Sequence, residues 1–96
     1  MTYRISRGAS QDLIAIYASS ARDFGEAQAR QYFFGLESTF KFLADHPRAA
    51  RERHEIQPPV RAFRYKSHLV IYEIDGNDVV ILRIRHGHED WMHPAG

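Results

Sequence analysis

The side chains best suited to chemistry are arginines and histidines in the second half of the chain. A ribonuclease that works without a metal needs a general base for the ribose 2′-hydroxyl, a general acid for the leaving oxygen, and cations for the charged phosphate. Arg61, Arg83 and His86 offer these side-chain types and are the candidate catalytic residues if the protein cleaves RNA. The alternative interpretation is that these arginines pair with acidic side chains of the same chain or contact an acidic partner.

A histidine pair near the end of the chain raises the possibility of a metal site. His86 and His88 are two residues apart, a spacing that on a strand directs both imidazoles to one side, where they can chelate zinc. Gly87 is expected to end the strand, so that the two side chains diverge. The chain has no cysteine, no Walker loop and no glycine fingerprint for dinucleotides. We therefore predict neither a metal nor a cofactor.

Basic side chains are concentrated in residues 47–66, which carry six Arg or Lys against two Glu, although the whole chain has a formal net charge of only +1. A local excess of this kind indicates a surface for an acidic partner or a nucleic acid, or else a solvated loop and edge strand. The single tryptophan, Trp91, lies in a polar C-terminal segment. It is interpreted as an interface anchor or as a lid on the core.

Length and composition predict one domain over residues 1–96. An apolar fraction of 44% and a charged fraction of 26% are those of ordinary globular proteins. No apolar run approaches the ~18 residues of a membrane span, and the first residues do not resemble a signal peptide. The lack of cysteine suits a reducing compartment. We therefore expect a soluble, cytoplasmic protein.

Hydrophobic periodicity predicts a strand followed by two helices. The strand covers residues 2–6. Ser10 is the predicted N-cap of the first helix, with Asp12 in the first turn, where a carboxylate favours the helix dipole. Gly25 ends this helix with a positive φ angle, and the second helix covers residues 26–46, before a proline. One glycine between two helices predicts a tight antiparallel hairpin.

Each predicted helix carries an apolar stripe that we expect to be buried. Gly35 lies inside the second helix, where it costs about 1 kcal/mol relative to alanine, and it is interpreted as a close-packing point. Phe34 and Phe42 fall off the second stripe and are predicted surface anchors. The stripes comprise Leu13, Ile14, Tyr17, Ala21 and Phe24 in the first helix and Ala29, Tyr32, Phe33, Leu36, Phe40 and Leu43 in the second.

Three further strands and their turns complete the predicted fold. A helical hairpin covers only one face of a sheet, so the other face needs a cover from the C-terminal tail or a partner. The fold class is therefore α+β: an N-terminal strand and a two-helix antiparallel hairpin packed on a mainly antiparallel sheet. The strands are predicted at 60–65, 68–74 and 79–86, with turns at 66–67 and 75–78 and a short extra strand around 55–56.

Six segments form an ordered pattern over nearly the whole chain. They are D-L-I-A-I-Y at 12–17, F-G-E-A-Q-A at 24–29, L-A-D-H-P at 43–47, V-R-A-F-R-Y at 60–65, H-L-V-I-Y at 68–72 and V-V-I-L-R-I-R-H-G-H-E-D-W at 79–91. The pattern resembles the ParE toxins of bacterial toxin–antitoxin operons, and the last segment is its most specific part.

The resemblance implies a RelE/ParE-like fold and a toxin held inactive by a ParD-like antitoxin in a toxin–antitoxin hetero-oligomer. The C-terminal part of such an antitoxin wraps the toxin, and its N-terminal part usually binds operator DNA. Characterised ParE toxins poison DNA gyrase, whereas RelE-like toxins cleave mRNA on the ribosome. No Tyr follows Tyr72, which departs from the ribonuclease branch. We therefore expect a non-enzymatic gyrase inhibitor, with a ribosome-dependent mRNA endoribonuclease as the alternative.

The resemblance also implies an incompletely covered apolar groove for the antitoxin, which would lay an amphipathic helix or an added strand along it. Arginine suits partner surfaces because its planar guanidinium makes bidentate contacts, and a central tryptophan can dominate binding energy. We expect no membrane and no direct sequence-specific nucleic-acid contact. The predicted partner-binding residues are Arg61, Arg64, Arg83, Arg85 and Trp91.

Overall fold

The computed structural model describes residues 2–87 and shows two helices packed on a five-stranded sheet of order β1-β5-β4-β3-β2. Among the strand pairings of residues 2–87, β1·β5 alone is parallel, and the predicted α+β architecture is confirmed. Within the described residues, no helix is both long and apolar enough to cross a bilayer. The elements are β1 (Thr2–Ile5), α1 (Arg7–Phe24), α2 (Glu26–Asp45), β2 (Glu52–Arg53), β3 (Val60–Tyr65), β4 (His68–Asp75) and β5 (Asp78–His86).

The start of α1 differs from the prediction, because Ser6 rather than Ser10 caps the helix. The Ser6 hydroxyl accepts a hydrogen bond from the Ala9 N–H at 3.1 Å and donates one to the Leu82 carbonyl oxygen at 2.7 Å. The cap is therefore anchored to β5 at the point where β1 ends. Gly8 lies inside the helix, where an added Cβ would stand 2.9 Å from Cδ of Arg83.

The buried face of α1 is also rotated from the predicted stripe. Leu13 and Ala9 are buried and Ile16 packs against the core, whereas Ile14 and Phe24 are 69% and 66% exposed. The expectation that Ile14 and Phe24 are buried was wrong, because α1 has two apolar faces and the face with Leu13 and Ile16 is the one that meets the core. In α2 the predicted residues Ala29, Leu36, Phe40 and Leu43 are buried, and Phe34 and Phe42 are exposed as predicted. The expectation that Phe33 is buried was wrong, because it lies on the side of α2 next to the exposed face of α1.

The sheet supplies the other half of the core through β4 and β5. Tyr72, Val79 and Ile81 are fully buried beneath the helices. Ile71 and Val80, on the opposite face, are 6% and 9% exposed, and the tail predicted to cover that face lies outside the described residues. The extra strand forms at Glu52–Arg53, not around 55–56, because it pairs with the first two residues of β3.

Gly35 is a close-packing point, as predicted. A Cβ added at this residue would lie 1.7 Å from Oη of Tyr65 and 2.5 Å from its Cζ. Tyr65 belongs to β3 and packs against the core, so the missing side chain lets α2 approach the sheet. The cost of a glycine inside the helix is therefore offset by tertiary packing.

We expect the Gly35→Ala substitution to lower the free energy of unfolding by about 1–3 kcal/mol, measured by urea denaturation. Forcing a methyl group against the Tyr65 ring costs more than the ~1 kcal/mol gained in helix propensity. Ser38→Ala, at an exposed position of the same helix, is the matched control and should change stability little. A Gly35→Ala protein as stable as this control would contradict the close-packing interpretation.

Candidate functional site

Arg61 is part of an internal network that fixes the loop after α2. Its Nη1 donates a hydrogen bond to the Ala50 carbonyl oxygen at 2.7 Å. Tyr72, its register partner on β4, donates from its hydroxyl to the Pro47 carbonyl oxygen at 2.9 Å and accepts from the Ala50 N–H at 3.3 Å. Burial raises the pKa of Tyr72 above its usual value, although the Ala50 N–H and the charge of Arg61 act the other way. The hydroxyl therefore remains protonated and keeps its role as a donor.

Arg83 makes a bidentate ion pair with Asp12 of α1. Its Nε and Nη2 donate to the two carboxylate oxygens at 2.8 and 3.1 Å, and Oδ2 also accepts from the Ile84 N–H at 2.9 Å. Because β1 ends at Ile5, opposite Ile81, no strand among residues 2–87 pairs with this part of β5 on that side. The Asp12 carboxylate takes the place of a strand by binding the exposed N–H.

The pKa of Asp12 reflects two opposing effects. Burial raises it, but the hydrogen bonds from Arg83 and the Ile84 N–H, together with the charges of Arg83 and Arg85, outweigh burial and hold the pKa below its usual range. The carboxylate therefore stays ionised at neutral pH, which preserves its contacts to β5. In the structure both Asp12 and Arg83 serve to join α1 to the sheet.

The three candidate catalytic residues do not converge. Arg61 on β3 and Arg83 on β5 are separated by β4, and each makes the contacts described above. His86 lies in register with His68, which pairs with Tyr65 at the far end of β3. Four residues of strand separate Arg61 from this row, a distance of ~13 Å at the usual rise per residue.

The remaining predicted partner-binding residues lie on the face of the sheet away from the helices. Arg64 and Arg85 are both in register with Leu69 of β4, so they flank it at ~10 Å from each other. Arg64 is exposed and donates from Nη1 to the Lys66 carbonyl oxygen at 3.3 Å, while Arg85 is half-buried. Trp91 lies outside the described residues.

A polar cleft of about 700 Å³ lies between the helical hairpin and the ends of β4 and β5. The Tyr32 hydroxyl is 2.7 Å from Nδ1 of His68, whose ring centroid is 5.4 Å from that of His86. Nζ of Lys66 lies 5.9 Å from the centroid of the Tyr32 ring. The sequence predicted Tyr32 as a core residue and Lys66 as a turn residue. Neither prediction indicated that they meet beside His68, because that contact depends on the register of β3, β4 and β5 beneath α2.

Metal ligands do not assemble in the cleft. No group of three or more His, Cys, Asp or Glu side chains suited to holding a metal ion exists within residues 2–87. His88, the second half of the His-x-His pair, lies beyond those residues. The chemistry that the described cleft offers is hydrogen bonding and proton transfer by a phenol and two imidazoles.

An apolar groove of about 580 Å³ runs along α1 on the other side of the hairpin. Ile14 is 69% exposed, Ile5 and Phe33 are also exposed, and the rings of Tyr17 and Phe33 meet edge to face at 6.3 Å. Contiguous exposed apolar surface marks a site of interaction more often than isolated apolar residues do. This helix groove is lined by Ile5, Ser10, Leu13, Ile14, Tyr17, Ala18 and Phe33.

Comparison with known proteins gives a consistent set of relatives. A family model described as the ParE toxin of type II toxin–antitoxin system, parDE, matches residues 3–91. Toxin ParE3 of Caulobacter vibrioides is 35% identical over 82 residues, which are 85% of this chain and 82% of that protein. Toxin ParE1 of the same organism is 33% identical over 84 residues, which are 88% of this chain and 86% of that protein.

The fold also has a solved counterpart. A chain of the chromosomal ParDE TA system from P. aeruginosa superposes with a TM-score of 0.78, covering 90% of this chain and 95% of that one at 24% sequence identity. At that identity the likeness establishes the shared fold. It agrees with the helical hairpin on a mainly antiparallel sheet described above.

The Asp12 contacts predict a specific pH dependence of stability. Because the pKa of Asp12 in the folded protein lies below the usual value of an aspartate in the unfolded chain, the stabilisation is fully present above that usual value and is lost as pH falls through the folded-state pKa. Asp12→Asn should lower the free energy of unfolding at pH 7 by about 1–3 kcal/mol. Between neutral and acid pH the free energy of unfolding should fall less in this variant than in the wild type, as measured by urea denaturation at several pH values. Asp23→Asn, at an exposed position of the same helix, is the control. Equal stability of the two variants would contradict the role given to Asp12.

Proposed function

The chain belongs to the ParE toxin family of type II toxin–antitoxin systems, and we propose that it inhibits DNA gyrase and is neutralised by a ParD-like antitoxin encoded beside it. The observation that carries the proposal is the family match over residues 3–91. The fold shared with a chain of a ParDE TA system supports it. Because gyrase acts on the bacterial chromosome, the proposed site of action is the cytoplasm.

The helix groove supports the antitoxin half of the proposal. Ile14, Tyr17 and Phe33 form an exposed apolar strip of the kind that accepts the apolar face of an amphipathic helix. A partner that covers this strip removes Ile14 and Phe33 from water. The burial stabilises the complex by about 25 cal/mol for each Å² of apolar surface. A bound antitoxin helix therefore accounts for large apolar side chains that the isolated toxin leaves in solvent.

The contacts of the arginines support inhibition by binding rather than by catalysis. Arg61 holds the Ala50 carbonyl oxygen and Arg83 holds Asp12, and both contacts maintain the fold. A cation that stabilises a reacting phosphate must face the substrate, whereas the two guanidinium groups, on strands separated by β4, bind groups of the chain itself. On this proposal the toxin traps its target through a surface and performs no chemistry of its own.

A second candidate function, ribosome-dependent mRNA cleavage, is favoured by one observation, the polar cleft. His68 and His86 lie side by side, and the Tyr32 hydroxyl contacts Nδ1 of His68, which orients that imidazole. One imidazole would take the proton of the ribose 2′-hydroxyl and the other would protonate the leaving 5′-oxygen. The positive charge of Lys66 would stabilise the negative charge of the reacting phosphate.

A supercoiling and cleavage assay with purified DNA gyrase tests the proposal. We expect the toxin to accumulate cleaved DNA and to reduce supercoiling, and the adjacent antitoxin, added in equimolar amount, to reverse both effects. Unchanged supercoiling without cleaved DNA would contradict gyrase inhibition. In that event, cleavage of ribosome-bound mRNA by the wild type but not by His86→Ala, with the exposed His54→Ala as control, would establish the second candidate.

The helix groove makes a separate prediction about neutralisation. Ile14→Asp should raise the dissociation constant of the antitoxin at least about tenfold, because a carboxylate would be buried against its apolar face. The fold should survive, since Ile14 is 69% exposed. Gln11→Asp introduces the same charge at an exposed position of the same helix and should bind as the wild type does. Equal affinities of the two variants for the antitoxin, measured by calorimetry, would show that the antitoxin does not bind in the helix groove.

A further inference from the structure

The turn between β3 and β4 holds a lysine in a backbone conformation that lysine rarely adopts. Lys66 has a φ of 51°, and among residues 2–87 it is the only residue other than glycine with a positive φ. The left-handed region is unfavourable for a residue with a side chain, and two-residue turns between strands favour glycine or asparagine there. Residues held in such conformations cluster at functional sites, so the place of the Lys66 side chain is informative.

The ammonium group of Lys66 lies at the polar cleft, beside two aromatic rings. Its Nζ is 5.9 Å from the ring centroid of Tyr32 and 5.5 Å from that of Tyr65, distances at which an aromatic ring attracts a cation. Within residues 2–87 no carboxylate forms an ion pair with this amine. The two rings therefore hold a positive charge at the cleft that the described acidic side chains do not neutralise.

The acidic side chains that line the cleft are already paired with arginines. Asp12 binds Arg83, and the carboxylate of Asp23 lies 3.5 Å from Nε of Arg22. Their negative charges are therefore compensated inside the chain, whereas the charge of Lys66 is not. A cleft with one uncompensated cation raises the local concentration of anions, so an anion is the ligand whose charge fits it.

The size and the walls of the cleft indicate an anion with a flat organic body. A volume of about 700 Å³ lies in the range of small-molecule sites and exceeds the space that a bare phosphate needs. The ring of His68 meets those of Tyr32 and His86 edge to face, with centroids 5.5 and 5.4 Å apart, and Phe24, 66% exposed, also lines the cleft. Aromatic side chains, histidine included, stack on nucleobases. Hydroxyl and amide groups that can hydrogen-bond a ribose also line it: Ser19, Ser20, Gln28 and Ser67.

We propose that the polar cleft binds a nucleoside monophosphate, with the phosphate at Lys66 and the base against the aromatic wall. A free nucleotide and the phosphorylated end of a nucleic-acid strand both carry this chemistry. Binding of this kind involves neither gyrase nor the cleavage of RNA, so it is separate from both functions considered above. The helix groove lies on the other side of the hairpin, so a partner bound there leaves the cleft open.

Calorimetric titration of the purified toxin with adenosine monophosphate (AMP), adenosine and inorganic phosphate tests the ligand class. We expect AMP to bind at least about tenfold more tightly than adenosine or phosphate, because each of these makes only part of the contacts. In NMR spectra, AMP should shift the ring resonances of His68 and His86 but not those of His54, in the loop after β2. Equal binding of AMP and inorganic phosphate would overturn the nucleotide ligand.

The Lys66→Gly substitution tests the site itself. Glycine adopts a φ of 51° without strain, so the turn and the fold remain intact, while AMP should bind about tenfold more weakly. Lys41→Gln removes the same charge at an exposed position of α2 and should bind AMP as the wild type does. Equal AMP affinities of the two variants would overturn the cleft as the site. Gyrase inhibition is measured separately by the supercoiling assay, so either proposal can fail without the other.

Competition by a short oligonucleotide distinguishes the two sources of the ligand. Displacement of AMP by a strand with a 5′-phosphate, but not by the same strand with a 5′-hydroxyl, would identify the end of a nucleic acid as the ligand. AMP binding that neither strand displaces would identify the free nucleotide. Equal displacement by both strands would overturn the role given to a terminal phosphate.

Discussion

The Asp12 carboxylate joins α1 to the exposed part of β5, and the other surfaces of the molecule depend on that contact. It accepts hydrogen bonds from Arg83 and from the Ile84 N–H at 2.8–3.1 Å, while Ser6 ties the start of the same helix to Leu82. Two anchors less than two turns apart fix both the position and the rotation of α1. They turn Leu13 toward the core and leave Ile14 and Tyr17 to line the helix groove, and Asp12 itself lines the polar cleft.

The fold class follows from local signals in the sequence. The helical spacing of Leu36, Phe40 and Leu43, the positive φ of Gly25 and the tight turn at Gly76 depend only on neighbouring residues, so they are visible without the structure. Gly35 belongs with them, since a glycine inside a strong apolar helix indicates close packing. The ordered segments that resemble ParE toxins then added what local signals do not contain, namely a type of function.

The errors arise where an interaction joins distant parts of the chain. Ser10 has the right residue type for a cap, but Ser6 has a partner on β5 that is 76 residues away. Both faces of α1 are apolar, so periodicity alone does not distinguish the face that meets the sheet from the face that meets solvent. The polar cleft depends on the register of three strands, including an irregularity at Ile71/Tyr72. The ion pair of Arg83 with Asp12 likewise joins residues that are far apart in the chain, and the partner-binding role of Arg83 stays a prediction.

The two edges of the sheet differ in how their unpaired backbone groups are protected from pairing with another chain. Past the end of β1, the edge of β5 is closed by α1 and the Asp12 carboxylate, and β1 is short and carries Arg4 in ion pairs. Along β3 the backbone is open in the part of the chain that the structure describes, but the basic residues around it repel a second copy of the same edge. Charge therefore protects the sheet against self-association without blocking the backbone, because repulsion acts on basic chains and attraction on acidic ones. An edge protected in this way repels basic chains and leaves its backbone groups accessible to an acidic one.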